Sequence, residues 1–207
     1  MAPRGKERER AALLLPGPGH MTRQAVSKSQ PYLPHGVRLA SAADRGDLVS
    51  LINSAYSVES FLEGTRTDEE RLAAMMRKGE ILVAENSYGL LLGCIYTEVR
   101  DSRVYLGRLI ARAAGKARNA RGYLDLHAVD PAYQGGGIGR LLIEASEDYL
   151  RRKGCEAVDI TVPSVCAELP HIYSRFGYFE TGTEKFHSSQ PLKPGVECHY
   201  IVLSKEL

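Results

Sequence analysis

Between Asp130 and Arg140 the chain runs Asp-Pro-Ala-Tyr-Gln-Gly-Gly-Gly-Ile-Gly-Arg, with glycine at positions 135, 136, 137 and 139. An extended apolar segment, 123–129, stops just before it. Apolar residues at helical spacing (Ile138, Leu141, Leu142, Ala145, Tyr149) start within it. A strand, a glycine turn and a long helix in that order call for a sheet with helices packed on it. The turn also has a chemistry. Glycine tolerates positive φ and lets backbone approach a ligand closely. The first N–H groups of a helix lack partners within it and attract an anion such as a pyrophosphate. Arg140 adds positive charge. The dinucleotide pattern G-x-G-x-x-G fails in both frames, because the sixth residue is Arg140 or Leu142, and no Gly-Lys-Ser/Thr follows to make a P-loop. The spacing that remains is Gln-x-x-Gly-x-Gly, from Gln134 to Gly139.

The surrounding chain alternates between strand and helix patterns. A strand is expected at 37–40, then a helix capped by Ser41 with Leu48, Leu51, Ile52 and Ala55 at helical spacing. Thr67-Asp-Glu-Glu fits a capping box opening a second helix with Leu72, Met75 and Met76 on its apolar side. A hairpin is expected from 81–84 through Asn86-Ser-Tyr-Gly to 90–99. In the long helix after the glycines, Glu144, Glu147, Asp148, Arg151 and Arg152 are expected to face water, with Gly154 ending it. A strand at 155–162, a helix at 166–176 and strands at 178–186 and 199–203 complete an α/β chain. The sheet is mixed and central, with helices on both faces.

Composition narrows the function classes. The chain has 207 residues, 43% hydrophobic and 25% charged, which suits one domain with a tail. A formal charge of +2 from 27 bases and 25 acids does not mark a nucleic-acid binder. No apolar run approaches the ~18 residues needed to cross a bilayer as a helix. Cys94, Cys155, Cys166 and Cys198 make neither a disulfide framework nor a C-x-x-C pair, so reduced thiols in a cytoplasmic protein, and no zinc, are expected. Residues 1–36 carry six bases and two acids among Pro, Gly and Ser and read as a disordered basic tail. A mitochondrial transit peptide is the sharper reading of that tail, and Glu7 and Glu9 weigh against it. A second basic stretch, 107–121, has five bases and no acid and reads as a surface insert. The domain proper is then 37–207.

With these elements in place, the chain resembles the GNAT superfamily of acetyl-CoA-dependent N-acetyltransferases. Gln134-Gly-Gly-Gly137-Ile138-Gly139 matches that family's Q/R-x-x-G-x-G/A pyrophosphate loop. Leu126-His-Ala-Val-Asp-Pro131 looks like the end of its splayed central strand, and Ile172-Tyr173-Ser-Arg-Phe-Gly177-Tyr178 is similar to its aromatic-Tyr-x-x-x-Gly-Phe/Tyr element. The resemblance implies the family's mixed-sheet acyltransferase fold and acetyl-CoA as cosubstrate. It implies that Ala128, Val129 and Ser164 meet the pantetheine arm and that Gln134, Gly135, Gly136, Gly137, Ile138, Gly139 and Arg140 meet the pyrophosphate. Tyr173 then falls where the family's general acid stands. A phenol can protonate a departing thiolate without first being charged.

The acceptor amine needs a base, and the glutamate that the family often uses is replaced here by Tyr123. Strict strand alternation puts Tyr123, Asp125, His127 and Val129 on one face, so Asp125 and His127 become the candidate bases. Glu168 is a further candidate. Tyr56, Tyr123 and Glu168 are expected at the acceptor, near Glu59, Phe61 and Arg66 and the 186–197 segment. The strand-like stretch 105–109 could also start the central strand, but only 123–129 runs straight into the loop. The implied protein acetylates a small-molecule or peptide amine. It sits on no membrane, and pairing through the C-terminal strands would make a homodimer. Two other readings remain: a non-catalytic acyl-CoA sensor of the same fold, and a protein recruited to nucleic acid by its basic tail.

Overall fold

In the computed structural model of the protein, residues 36–100, 120–188 and 190–207 are described. The basic tail, nearly all of the 107–121 insert and the 105–109 stretch lie outside the described residues. The strands are β1 (Gly36–Leu39), β2 (Glu80–Glu85), β3 (Leu91–Arg100), β4 (Ala120–Val129), β5 (Cys155–Pro163), β6 (Phe179–Lys185) and β7 (His199–Glu206). The helices are α1 (Arg45–Ala55), α2 (Glu69–Met76), α3 (Ile138–Arg152) and α4 (Leu169–Ser174).

Seven strands form one mixed sheet in the order β1-β2-β3-β4-β5-β7-β6. The β4–β5 pair is parallel and the others are antiparallel. The β4–α3–β5 crossover is what a parallel pair requires. On one face α1 and α2 bury Leu48, Ile52 and Leu72 against Ile81, Val83 and Cys94. On the other, α3 buries Ile138, Leu142, Ile143 and Leu150 against Leu92, Leu124 and Val158, and Tyr173 of α4 joins that core. Among the described residues no helix is long and apolar enough to cross a membrane.

Several local expectations are corrected. Ser41 caps a short 3₁₀ turn, Ala42–Asp44, through a reciprocal capping box with Asp44, and α1 follows that turn. Asp68, not Thr67, caps α2 by accepting from the Arg71 N–H at 2.9 Å. Thr67 is buried instead, because its N–H is held by Asn53 Oδ1. The helix expected at 166–176 is regular only over the six residues of α4. Glu147 does not face water. Its carboxylate is 7% exposed, accepts from the Tyr178 hydroxyl at 3.1 Å and pairs with Lys205 Nζ at 2.6 Å. Both partners come from the C-terminal part of the chain, so helical period alone places Glu147 on the wrong side.

Stripping one partner from such a pair leaves charge and hydroxyl groups unsatisfied at the α3–sheet contact. Glu147→Ala is therefore expected to destabilise the fold by about 3 kcal/mol, and Asp148→Ala, beside it but 62% exposed, by less than about 0.5 kcal/mol. Urea denaturation of the two variants at pH 7 checks this.

Candidate active site

The site begins with a fault in β4. Cys94 pairs with Ala128 and Tyr96 with Asp125, so Ile95 of β3 faces two residues, Leu126 and His127. This bulge puts Leu126 at φ 46°, the one positive-φ non-glycine residue among those described. The strict alternation expected for β4 is thereby overturned. Leu124 belongs to the α3 side, while Leu126 and Ala128 belong to the α1 side. His127 and Val129 turn toward α3, and Asp125 stays on the other face near Arg66.

The same fault ends the parallel pairing. The β4–β5 register runs from Ala120↔Cys155 to Leu124↔Ile160 and stops, although β4 continues to Val129 and β5 to Pro163. The two strand ends splay around a cleft of about 340 Å³. Its lining includes Ala128, Val129, Gln134, Glu59, Glu168 and Tyr173. Asp130 caps a short turn, Pro131–Tyr133, and Gln134 donates its amide to the Val129 carbonyl at 3.3 Å.

Gly135 and Gly137 then adopt φ of 81° and 85°, and Gly137 is the residue from which α3 starts. Side chains are strained at such angles, and nothing lies within 4 Å of where their Cβ atoms would be. Gly139 is a glycine for a different reason. A Cβ there would stand 3.3 Å from His127 Nε2. The bare first turn of α3 is thus open to an anion, and the splayed strand ends beyond it fit an extended amide-bearing arm. Arg140 is 63% exposed beside this turn.

His127 joins the turn to the cleft. Its Nε2 lies 3.1 Å from the Gly139 carbonyl and its Nδ1 3.1 Å from the Tyr173 hydroxyl. A carbonyl only accepts, so Nε2 carries the proton and Nδ1 accepts from Tyr173. Burial pushes the imidazole down to about 4, with the Gly139 carbonyl opposing, so the ring is neutral at pH 7. The Tyr173 phenol is driven well above its usual range by burial, then by Asp125, and keeps its proton.

The acceptor end of the cleft is built by two loops. Gln190 Nε2 donates to the carbonyls of Thr65 and Arg66 at 2.6 and 2.8 Å, and Leu62 forms a single bridge with Leu192. This fixes Arg66 over the Tyr56 ring, 4.7 Å from its centroid. Tyr56 also reaches the His127 carbonyl at 3.5 Å. Glu59 stands 3.8 Å from Arg66 and is the acidic residue that sequence patterning passed over as a base. Sequence places it near the acceptor, but no local pattern marks it as a base.

Other expected residues stand apart. Tyr123 hydrogen-bonds Thr161 at 2.7 Å beneath the Arg100 guanidinium and is not part of the cleft lining. Ser164 is tied to β7, accepting from the His199 N–H at 3.1 Å, and likewise does not line the cleft. Asp125 turns one carboxylate oxygen back onto the Leu126 N–H at 2.7 Å. Among the described residues, no group of three or more His, Cys, Asp or Glu is placed to hold a metal.

The family model for the GNAT acetyltransferases matches residues 47–178, and the chain belongs to that family. A mycothiol acetyltransferase of Propionibacterium freudenreichii is 30% identical over 168 residues, covering 79% of this chain and 49% of that protein. The namesake protein of Amycolatopsis mediterranei is 27% identical over 188 residues, covering 87% and 57%. The chain thus spans about half the length of the curated relatives it matches. The fold recurs in the ribosomal-protein-alanine N-acetyltransferase of Brucella melitensis, with a TM-score of 0.60 and 21% identity over 83% of this chain and 99% of that one. It recurs in a Salmonella typhimurium protein solved with its cofactor acetyl-CoA, with a TM-score of 0.57 and 22% identity over 82% and 92%.

The desolvated, neutral His127 is expected to make the fold sensitive to acid. Its folded pKa lies below the unfolded value near 6.5, so its contribution is complete above pH 6.5 and is lost as pH falls toward 4. Between pH 7 and 4.5 the wild type is expected to lose about 2–3 kcal/mol more than His127→Gln. Urea titrations of both proteins at the two pH values measure the difference, and the shared carboxylates cancel.

Proposed function

We propose that the chain is an acetyl-CoA-dependent N-acetyltransferase that moves an acetyl group directly to a primary amine. The observation that carries this reading is the continuity of three parts: the glycine turn at the start of α3, the splayed end of β4, and the Tyr173 hydroxyl in the cleft between them. Backbone N–H groups of 135–140 would hold the pyrophosphate, with Arg140 nearby. Backbone of Ala128 and Val129 would hold the pantetheine arm. Bound acetyl-CoA would supply the acyl group as an activated thioester.

The protein's share of the work is placement and proton management. Holding both reactants in one narrow cleft removes much of the entropy cost of their encounter. Tyr173 keeps a proton at neutral pH and so can donate it to a sulfur leaving as thiolate. In the resting site that proton points at His127 Nδ1, and His127 is in turn held by Gly139. The phenol is thereby tied to the turn that would grip the cosubstrate. The acceptor is proposed only as a primary amine. The name mycothiol acetyltransferase belongs to relatives about twice as long as this chain.

Calorimetric titration tests the cosubstrate. Acetyl-CoA is expected to bind the protein saturably, and Gly137→Glu to abolish binding, because a side chain at φ 85° is strained and its carboxylate repels a pyrophosphate. Failure of the wild type to bind would sink the reading. Tyr173→Phe is expected to keep the acetyl-CoA Kd and lower kcat by about 100-fold. The rival acyl-CoA sensor has the Tyr173 proton already engaged in its favour. It predicts binding with no thiol release for any amine.

A further inference from the structure

The acceptor end of the cleft holds an imbalance that the proposed acetyl transfer leaves unexplained. Glu59 Oε2 is fully buried and has no hydrogen-bond partner, the one such side-chain atom among the described residues. Its nearest opposite charge, Arg66 Nη1, is 3.8 Å away, outside hydrogen-bond reach. Arg66 is shared as well. It lies 3.9 Å from Asp125 Oδ1 and is stacked on Tyr56. Glu168 adds a third carboxylate at the cleft wall. Glu59 and Glu168 line this end, and the one guanidinium near them is also drawn to Asp125 outside the lining, so the end is short of positive charge; a buried acceptor without donors is a standing cost that a ligand can remove. The ligand that does so carries several N–H donors and a positive charge.

Building on the acetyltransferase reading, we propose that Glu59 receives the acceptor as a primary ammonium ion and takes its proton. In that step one N–H bond breaks, its electron pair stays on nitrogen as the nucleophilic lone pair, and an O–H bond forms on Glu59. The proton then leaves to water at the cleft mouth. The other candidates are otherwise occupied. His127 has both ring nitrogens engaged, and Asp125 is turned onto its own strand. The titratable and charged groups that act on or feel Glu59 are Tyr56 just after α1, Arg66 from the following loop, Asp125 from β4, Cys166 and Glu168 from the β5–α4 connection, and Tyr200 from β7. Burial, then Arg66 in opposition, then Asp125 and Glu168 set its titration, with the net direction upward. A carboxylate shifted upward is a better proton acceptor near neutral pH.

The test is thiol release from acetyl-CoA with two probe amines, spermidine and the tripeptide amide Ala-Ala-Ala-NH2, across pH 5–9, beside calorimetry of acetyl-CoA. Wild type is expected to turn over at least one probe, with kcat/KM rising along an acid limb. Glu59→Gln is expected to lower kcat/KM by about 100-fold and erase that limb, with the acetyl-CoA Kd unchanged within about twofold, which also reports that the variant is folded. Glu59→Asp should restore part of the rate and return the limb. Wild-type rates and an unchanged limb in Glu59→Gln would overturn the proposal. So would turnover of neither probe by a wild type that binds acetyl-CoA. A wild type that does not bind acetyl-CoA overturns instead the reading on which the proposal rests.

Discussion

One extra residue in β4 governs the rest of the site. With Leu126 and His127 both opposite Ile95, the strand changes which face its side chains serve and stops pairing with β5. Without the bulge, His127 would share the α1 face with Asp125, Tyr173 would lose its acceptor, and three further residues of β5 would be free to continue the ladder up to Pro163. A closed parallel pair offers no room for an extended arm, because its backbone groups are already spent on each other. The strained φ at Leu126 persists only because the flanking core fixes it. Leu126 is 5% exposed among Leu48, Ile52 and Leu72, and Leu124 is fully buried under α3.

His127 converts that backbone fault into a mechanical link. Its ring spans from the first turn of α3 to Tyr173, and it can do so only because residue 139 lacks a side chain. In the neutral ring Nε2 donates to the Gly139 carbonyl and Nδ1 accepts a hydrogen bond from the Tyr173 hydroxyl, which keeps its proton. Desolvation enforces the neutral form, and the neutral form enforces the direction of the Tyr173 hydroxyl. The last glycine of the Gln-x-x-Gly-x-Gly spacing thus has a packing reason distinct from the positive φ of Gly135 and Gly137.

These causes explain what could be read in the sequence and what could not. Gln134 to Gly139, the apolar period of α3 and the approximate position of nearly every strand are local patterns, and each is found where local pattern puts it. The bulge has no such signature. Leucine is a poor residue for positive φ, so nothing at position 126 announces it. Periodicity therefore grouped His127 with Tyr123 and Asp125. The buried Glu147 escaped for a related reason, since its partners Tyr178 and Lys205 lie 31 and 58 residues further on. The surroundings of Glu59 depend on Arg66, whose backbone carbonyl accepts from Gln190, a contact spanning more than a hundred residues.

The electrostatics of the cleft follow the same division of labour. At one end stands a helix start with no side-chain cap, with Arg140 beside it, itself 3.9 Å from Glu144 one turn further on. At the other end Glu59 and Glu168 line the cleft, and the nearby Arg66 is shared with Asp125 outside the lining. On the proposed reading, the anionic cosubstrate and the cationic acceptor would be drawn to opposite ends without any contact specific to either. Tyr173, neutral and held between them, adds no charge that would blur the distinction. The gradient arises because the splay separates a helix terminus from two acidic loops by the length of a strand end. Charge sorting in this molecule is therefore a consequence of where β4 and β5 part company.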